Sequence, residues 1–248
     1  MKLLVDIGNT RIKWARVQDD EWLQSGITNL ESVAELPSQI SEWSEIDELW
    51  ISNVAGNVIG RQILELGVKQ AHIISSQKLQ CGVNNGYVEF AQLGSDRWAS
   101  LIAAWNMLRS KCLVVTSGTA TTIDALSERG EFLGGLILPG IDLMQSSLTE
   151  ATDQLEAIRG QYAPFPFNTA DAMFSGALQA CCGAVERQRM LLGNDVPIIV
   201  SGGSADVLEP YLGKSAQKPY VGEPVQKIDN LVLRGLLLIS KEMEVINK

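Results

Sequence analysis

Leu3-Leu4-Val5-Asp6-Ile7-Gly8-Asn9-Thr10, continued by Arg11-Ile12-Lys13-Trp14-Ala15-Arg16-Val17, is where the chain first shows how it is built. An apolar run carries one acid, turns at Gly-Asn-Thr and resumes with apolar Ile12, Trp14 and Val17. That pattern predicts a strand, a tight turn and a second strand. Asp6 lies inside an otherwise buried strand, where an ionised carboxylate is unfavourable unless something pairs with it. Gly8 lets the backbone come close to a ligand. Asn9 and Thr10 add small hydrogen-bonding side chains and free N–H groups. Such a turn suits a phosphate, and Asp6 suits a hydrated Mg²⁺. A plain tight hairpin in which Asp6 caps the turn accounts for the same residues.

A second stretch has the same logic. Leu113-Val114-Val115-Thr116-Ser117-Gly118-Thr119-Ala120-Thr121-Thr122-Ile123-Asp124-Ala125-Leu126 runs as an apolar strand into a Gly-Thr turn and leaves again as a strand. Two such turns far apart in sequence suggest two half-molecules facing one nucleotide. The 248 residues permit one large domain or two modest ones.

The net charge of −9 argues against a nucleic-acid binder, which needs a basic face to displace counterions. Asp6 interrupts the N-terminal apolar stretch after three apolar residues, which disfavours a signal peptide. No stretch approaches the ~20 apolar residues of a spanning helix, so a cytoplasmic protein is expected, with no membrane partner. Cys81, Cys112, Cys181 and Cys182 match no zinc spacing and are expected as reduced, mostly buried thiols. His72, the only histidine, lies beside a predicted strand and is expected to be structural.

Residues 1–27 read as three strands, residues 29–45 as helical pieces broken at Pro37, and 49–54 as a buried strand. Ile59 to Leu66 has helical spacing and stops at Gly67. Ala71 to Ile74 is a further strand. This order fits a three-layer α/β domain. Residues 79–94 read as a loop, and long irregular stretches in compact domains are often functional. A helix begins near Ser95-Asp96, with Trp98, Leu101, Ile102, Trp105 and Leu108 in a core-facing stripe. In the second half, strands are expected at 112–116, 120–126 and 131–138, the last broken by Gly134-Gly135. Helices are expected over 143–158, from Asn168 or Thr169 to about Leu192, over 205–212 and at the C-terminus. The strand Pro197 to Val200 runs into Ser201-Gly202-Gly203.

Gly94-Ser95-Asp96-Arg97 is the most pointed cluster for chemistry. Asp96 could orient and deprotonate a substrate hydroxyl, while Arg97 could hold an anionic group by a bidentate fork. The alternative is Ser95 or Asp96 as a simple N-cap with Arg97 solvated. The helix start would favour ionised Asp96 and leave it a weak base, which phosphoryl transfer tolerates. The glycines of Ser201-Gly202-Gly203 allow a base or ribose to lie flat on the backbone; a tight strand-to-helix turn is the alternative. Neither a Walker A sequence nor Gly-x-Gly-x-x-Gly is present.

Taken together, these motifs resemble the type III pantothenate kinase family. Asp6-Ile7-Gly8-Asn9-Thr10-Arg11-Ile12-Lys13 looks like its first phosphate motif, and Gly118-Thr119-Ala120-Thr121-Thr122 like its second. Gly94-Ser95-Asp96-Arg97 looks like its substrate motif, and Tyr87 matches a pantothenate-contacting tyrosine. Asn168-Thr169 and Ser201-Gly202-Gly203 follow in order. The resemblance spans nearly the whole chain. It implies an acetate kinase/sugar kinase/Hsp70/actin-type α/β fold: two ribonuclease H-like halves, 1–110 and 111–248, with ATP in the cleft between them. It further implies transfer of the ATP γ-phosphoryl group to the primary hydroxyl of pantothenate, the first step to coenzyme A. By that resemblance Asp96 is the catalytic base. Tyr87, Gly94, Ser95, Arg97 and Thr169 contact pantothenate. Asp6 to Lys13 and Thr119 line the triphosphate, and Asp6 holds Mg²⁺, directly or through water. A homodimer is implied as well.

One departure stands out. The family usually carries Asp where this chain has Thr116, and that carboxylate helps bind K⁺ or NH₄⁺. A neutral hydroxyl is a poor substitute, so a weaker monovalent-cation dependence is expected here. Related chains lacking this Asp include proteins first described as accessory factors in gene expression. A nucleotide-binding regulatory role, or a kinase for another small hydroxylated substrate, is therefore the alternative function.

Overall fold

A computed structural model describes residues 1–152, 160–193, 195–213 and 225–246. The chain divides into two compact units. The first comprises Met1–Arg109, Gly130–Phe132 and Asn230–Lys248; the second comprises Ser110–Arg129 and Leu133–Asp229.

In the first unit, β1 (Lys2–Ile7), β2 (Arg11–Gln18) and β3 (Glu21–Asn29) form an antiparallel meander, and β4 (Glu48–Asn53) and β5 (Gln70–Ile73) add in parallel on the other side of β1. The sheet order is β3-β2-β1-β4-β5. β1 is central and covered on both faces, which is why Leu3, Leu4, Val5 and Ile7 form a continuous apolar run rather than an alternation. One face buries Leu3, Val5, Ile7, Ile12, Trp14, Leu49 and Ile51 against Val33, Leu36 and Ile63 from the helical segments that include α1 (Leu36–Gln39) and α2 (Asn57–Leu64). His72 stacks on Trp50, its neighbour across β4 and β5, with ring centroids 4.2 Å apart. This agrees with a structural role for the histidine.

The other face is covered by helices. α3 (Ser95–Leu108) buries Trp98, Leu101 and Ile102 completely, as its stripe predicts, and α7 (Leu231–Ile246) packs along it and onto β1 and β4. The two helices approach closely because Gly235 leaves no Cβ to collide with the Ala99 carbonyl. The division expected at 110/111 thus falls between Arg109 and Ser110, but the C-terminal helix packs with the first unit. Chain order alone assigns it to the second. The stretch 79–94, read as a loop, contains β6 (Leu79–Gln80), β7 (Val83–Asn85) and a 3-10 turn at Phe90–Gln92. β7 pairs in parallel with Glu131 and Phe132, so these short strands depend on a partner far along the chain.

In the second unit, β8 (Cys112–Ser117) and β9 (Ala120–Leu126) form the second hairpin, followed by β10 (Glu131–Pro139). Gly134 and Gly135 lie within β10 rather than breaking it. α4 (Ile141–Ala151) and α5 (Thr169–Leu192) cover the sheet, and β11 (Ile198–Ser201) and β12 (Val225–Lys227) extend it in parallel beside β8, with α6 (Ala205–Leu208) between them in sequence. The end of the helix expected over 143–158 lies outside the described residues. The order β12-β11-β8-β9-β10 repeats the first sheet, with β8 in the place of β1. Both sheets have the ribonuclease H-like order that the resemblance implies.

Candidate active site

The first unit gathers the central group. Asp6 is the penultimate residue of β1, flanked in register by Lys13 on β2 and Ser52 on β4. The side chain is half-buried, and Oδ1 is shut off from solvent with no hydrogen-bond partner among the described residues. Burial, followed by the negative charge of Asp96, raises the Asp6 pKa to about 7, against the opposing pull of Lys13 and the Ser52 hydroxyl. An orphaned, buried carboxylate oxygen beside a second carboxylate is the environment that a hydrated divalent cation would relieve. Asp6 therefore fits the Mg²⁺ role expected of it.

Asp96 lies in the first turn of α3, where Oδ1 accepts the Arg97 N–H at 2.8 Å. The expectation of a depressed pKa is corrected here. Burial dominates and raises it, outweighing the Arg97 N–H and the Arg97 charge. A carboxylate shifted upward is a stronger base than the helix start alone would leave.

Arg97 is not solvated. It is 7% exposed, its Nη1 donates to the Tyr87 hydroxyl at 3.1 Å, and its guanidinium lies 5.8 Å from the ring centroids of both Tyr87 and Phe132. Phe132 was not singled out from the sequence, since only the β7–β10 pairing brings it to Tyr87. Tyr87 is fixed in turn by its N–H donating to Oδ1 of Asn85, which is itself fully buried. Ser95 directs its hydroxyl to Ser52 and the Asn53 N–H. Gly94 is the N-cap residue of α3.

In the first turn, the Gly8 N–H donates to the Arg11 carbonyl at 3.1 Å, closing a hairpin whose Asn9, Thr10 and Arg11 are exposed. Ile7 and Ile12 bury their side chains in the core, leaving only backbone groups to offer a ligand.

The second unit carries the other expected residues. Thr119 is exposed at the β8–β9 turn, where its carbonyl accepts the Gly140 N–H at 2.8 Å. The Ser117 carbonyl accepts the Ser204 N–H at 3.0 Å. Gly202, at φ +104°, passes so close to that carbonyl that a Cβ would collide with it, which explains the glycine in Ser201-Gly202-Gly203. Thr116 is half-buried and directly across from Thr122, whose Oγ1 is buried without a partner among the described residues. Thr169 opens α5, capped by the Asn168 side chain, which accepts the Asp171 N–H at 2.9 Å.

Beside Gly203 and Ser204 lies a cavity of about 940 Å³, bounded also by Phe174 and by Tyr162 and Tyr211, whose rings are 4.5 Å apart. Its size and aromatic wall suit a planar heterocycle. The glycine pair marks the cavity in the sequence, whereas the tyrosines converge only through the fold.

A family model of type III pantothenate kinase matches residues 2–190. The chain belongs to the type III pantothenate kinase family. It is 44% identical over 247 residues to a Type III pantothenate kinase of Nitrosospira multiformis, covering 97% of this chain and 91% of that one. It is 40% identical to the one from Aromatoleum aromaticum, covering 98% of each. Among solved structures, a Campylobacter jejuni protein assigned to the Baf family of transcriptional activators superposes with a TM-score of 0.66 at 22% identity, covering 98% of this chain and 99% of that one. A ROK family glucokinase from Streptomyces griseus, in complex with glucose and AMPPNP, superposes at 0.52 with 11% identity, covering 98% and 99%. At these identities the likeness establishes the fold, that of the sugar kinase and actin-like ATPases. No described helix is long and apolar enough to cross a membrane.

Proposed function

We propose that this chain transfers the γ-phosphoryl group of ATP to the primary hydroxyl of pantothenate, giving 4′-phosphopantothenate and ADP. The observation that carries the reading is the pair Asp6 and Asp96: two carboxylates within electrostatic reach, one with an orphaned oxygen, the other raised in pKa beside a buried arginine. Asp96 takes the proton from the substrate hydroxyl as its oxygen bonds to the γ-phosphorus and the bond to the β,γ-bridging oxygen breaks. Arg97, held by Tyr87 and Phe132, receives the pantothenate carboxylate, with Gly94 and Thr169 as further substrate contacts. Asp6 holds Mg²⁺, which neutralises phosphate charge when bound. The turns at Gly8 to Lys13 and at Thr119 bind the phosphates, and the cavity beside Gly203 takes the adenine. Exposed apolar side chains on β10, notably Ile137 at 65% exposure, support a homodimer. The proposed setting is the cytoplasm. Intact Asp96 and Arg97 favour this reading over an accessory role without turnover.

Thr116 and Thr122 place only neutral oxygens where a carboxylate would hold a monovalent cation. A coupled assay with ATP, Mg²⁺ and pantothenate, with and without K⁺, tests both points. The expected outcome is pantothenate-dependent ADP release with weak activation by K⁺. Strong activation by K⁺ or NH₄⁺ would contradict the cation reading, and no ADP release would contradict the function.

A further inference from the structure

Asn85 is a fully buried amide beside the ring that holds Tyr87. It ends β7, and its register partner on β10 is Phe132, whose ring packs on Tyr87 with centroids 5.2 Å apart. The Asn85 side chain has two backbone partners. Its Oδ1 accepts the Tyr87 N–H at 3.0 Å, and its Nδ2 donates to the Phe90 carbonyl at 3.2 Å. A backbone N–H only donates and a carbonyl only accepts, so these partners fix which end of the amide is oxygen.

One side chain thus bridges residues 87 and 90 and closes the base of a strap that carries Tyr87. Two further bonds anchor that base. The Ser76 hydroxyl donates to the Phe90 carbonyl at 2.6 Å, and Lys78 Nζ donates to the Asn85 carbonyl at 2.9 Å. Val88 and Phe90 both face water. Beyond Tyr87 itself the strap therefore buries little apolar surface, and the hydrogen bonds at its base set its path.

We propose that Asn85 is a positioning residue for pantothenate. It holds the strap so that the Tyr87 hydroxyl stands 3.1 Å from Arg97 Nη1 and the Tyr87 ring stays against Phe132 before substrate arrives. A guanidinium aimed in advance loses less freedom on binding, and that saving is read as affinity. Asn85 acts through Tyr87 and touches neither substrate nor nucleotide. This inference rests on the reading of Arg97 and Tyr87 as the pantothenate site.

The test uses Asn85→Ala, Tyr87→Phe, the double variant and Ser76→Ala. The readouts are kcat and KM for pantothenate, calorimetric affinity for a non-hydrolysable ATP analogue, and chymotrypsin cleavage after Tyr87 and Phe90 in the ligand-free protein. Asn85→Ala is expected to raise the KM for pantothenate about tenfold, the scale of a displaced binding group, with ATP-analogue affinity within about twofold of wild type. In the Tyr87→Phe background it should raise KM less than about threefold, because the hydroxyl it positions is already gone. Ser76→Ala is expected to raise KM about threefold through the same strap, and it carries the test if Asn85→Ala does not fold. The inference is overturned if the folded variants keep the wild-type KM, if ATP affinity falls as far as pantothenate KM rises, or if Asn85→Ala and Tyr87→Phe add fully. If the wild-type protein fails to phosphorylate pantothenate, the functional reading falls. Cleavage of the strap, expected to be about tenfold faster in Asn85→Ala, then still decides whether Asn85 holds Tyr87.

Discussion

Asp6 concentrates the conflict between folding and chemistry in one side chain. Its pKa stands at about 7 in the folded protein, against 3.8 for the ordinary carboxylate. Between about pH 4 and pH 7 the folded chain therefore holds a proton that the unfolded chain has released, and stability falls as pH rises through that window. Above pH 7 the penalty is constant. Asp6→Asn removes the ionisable group, so the ligand-free variant is expected to melt higher than wild type at pH 8 and to lose the decline between pH 4 and 7. The gain is on the order of 2 kcal/mol, less than the full shift implies because part of the side chain meets solvent. Thermal unfolding across pH checks this; a variant less stable than wild type at pH 8 would contradict it. Such a penalty is characteristic of a group kept for its ligand rather than for the fold.

At the level of elements, the pairing of α3 with α7 ties the C-terminus of the chain to its first unit. Gly235 packs so tightly on Ala99 that any Cβ must displace backbone. Gly235→Ala is expected to destabilise the protein by about 2–3 kcal/mol, read as a lower urea midpoint with the slope unchanged. An unchanged midpoint would show that the helices can separate without loss. Elements with strong local signals were legible in the sequence: the β1–β2 hairpin, the apolar stripe of α3 with Trp98 and Leu101, and α5 with its Asn168 cap. Elements defined by distant partners were not. β6 and β7 depend on Glu131 and Phe132, and α7 depends on α3, so neither periodicity nor turn residues reveal where they pack. The site divides in the same way. Asp6 and the Asp96-Arg97 pair are visible as chemistry out of place, whereas Phe132 and the Tyr162–Tyr211 pair exist only once the fold has formed.

For the molecule as a whole, the two sheets share one strand order, yet their hairpin turns differ. The first keeps a carboxylate at Asp6, while the corresponding strand of the second presents Thr116. In the proposed mechanism the divalent cation accordingly belongs to the first unit. Leu133 and Ile137, four residues apart on β10 of the second unit, are apolar side chains exposed to water that self-association would cover. Sedimentation is expected to give a dimer for the wild type and a monomer for Ile137→Lys; a dimer unaffected by that charge would place the interface elsewhere. The most direct test of the account is turnover by Asp96→Asn with Mg²⁺, ATP and pantothenate, alongside calorimetric nucleotide binding. The account predicts loss of turnover by a factor of about 10² or more, with ATP affinity near that of wild type. Near-wild-type turnover in Asp96→Asn would contradict it.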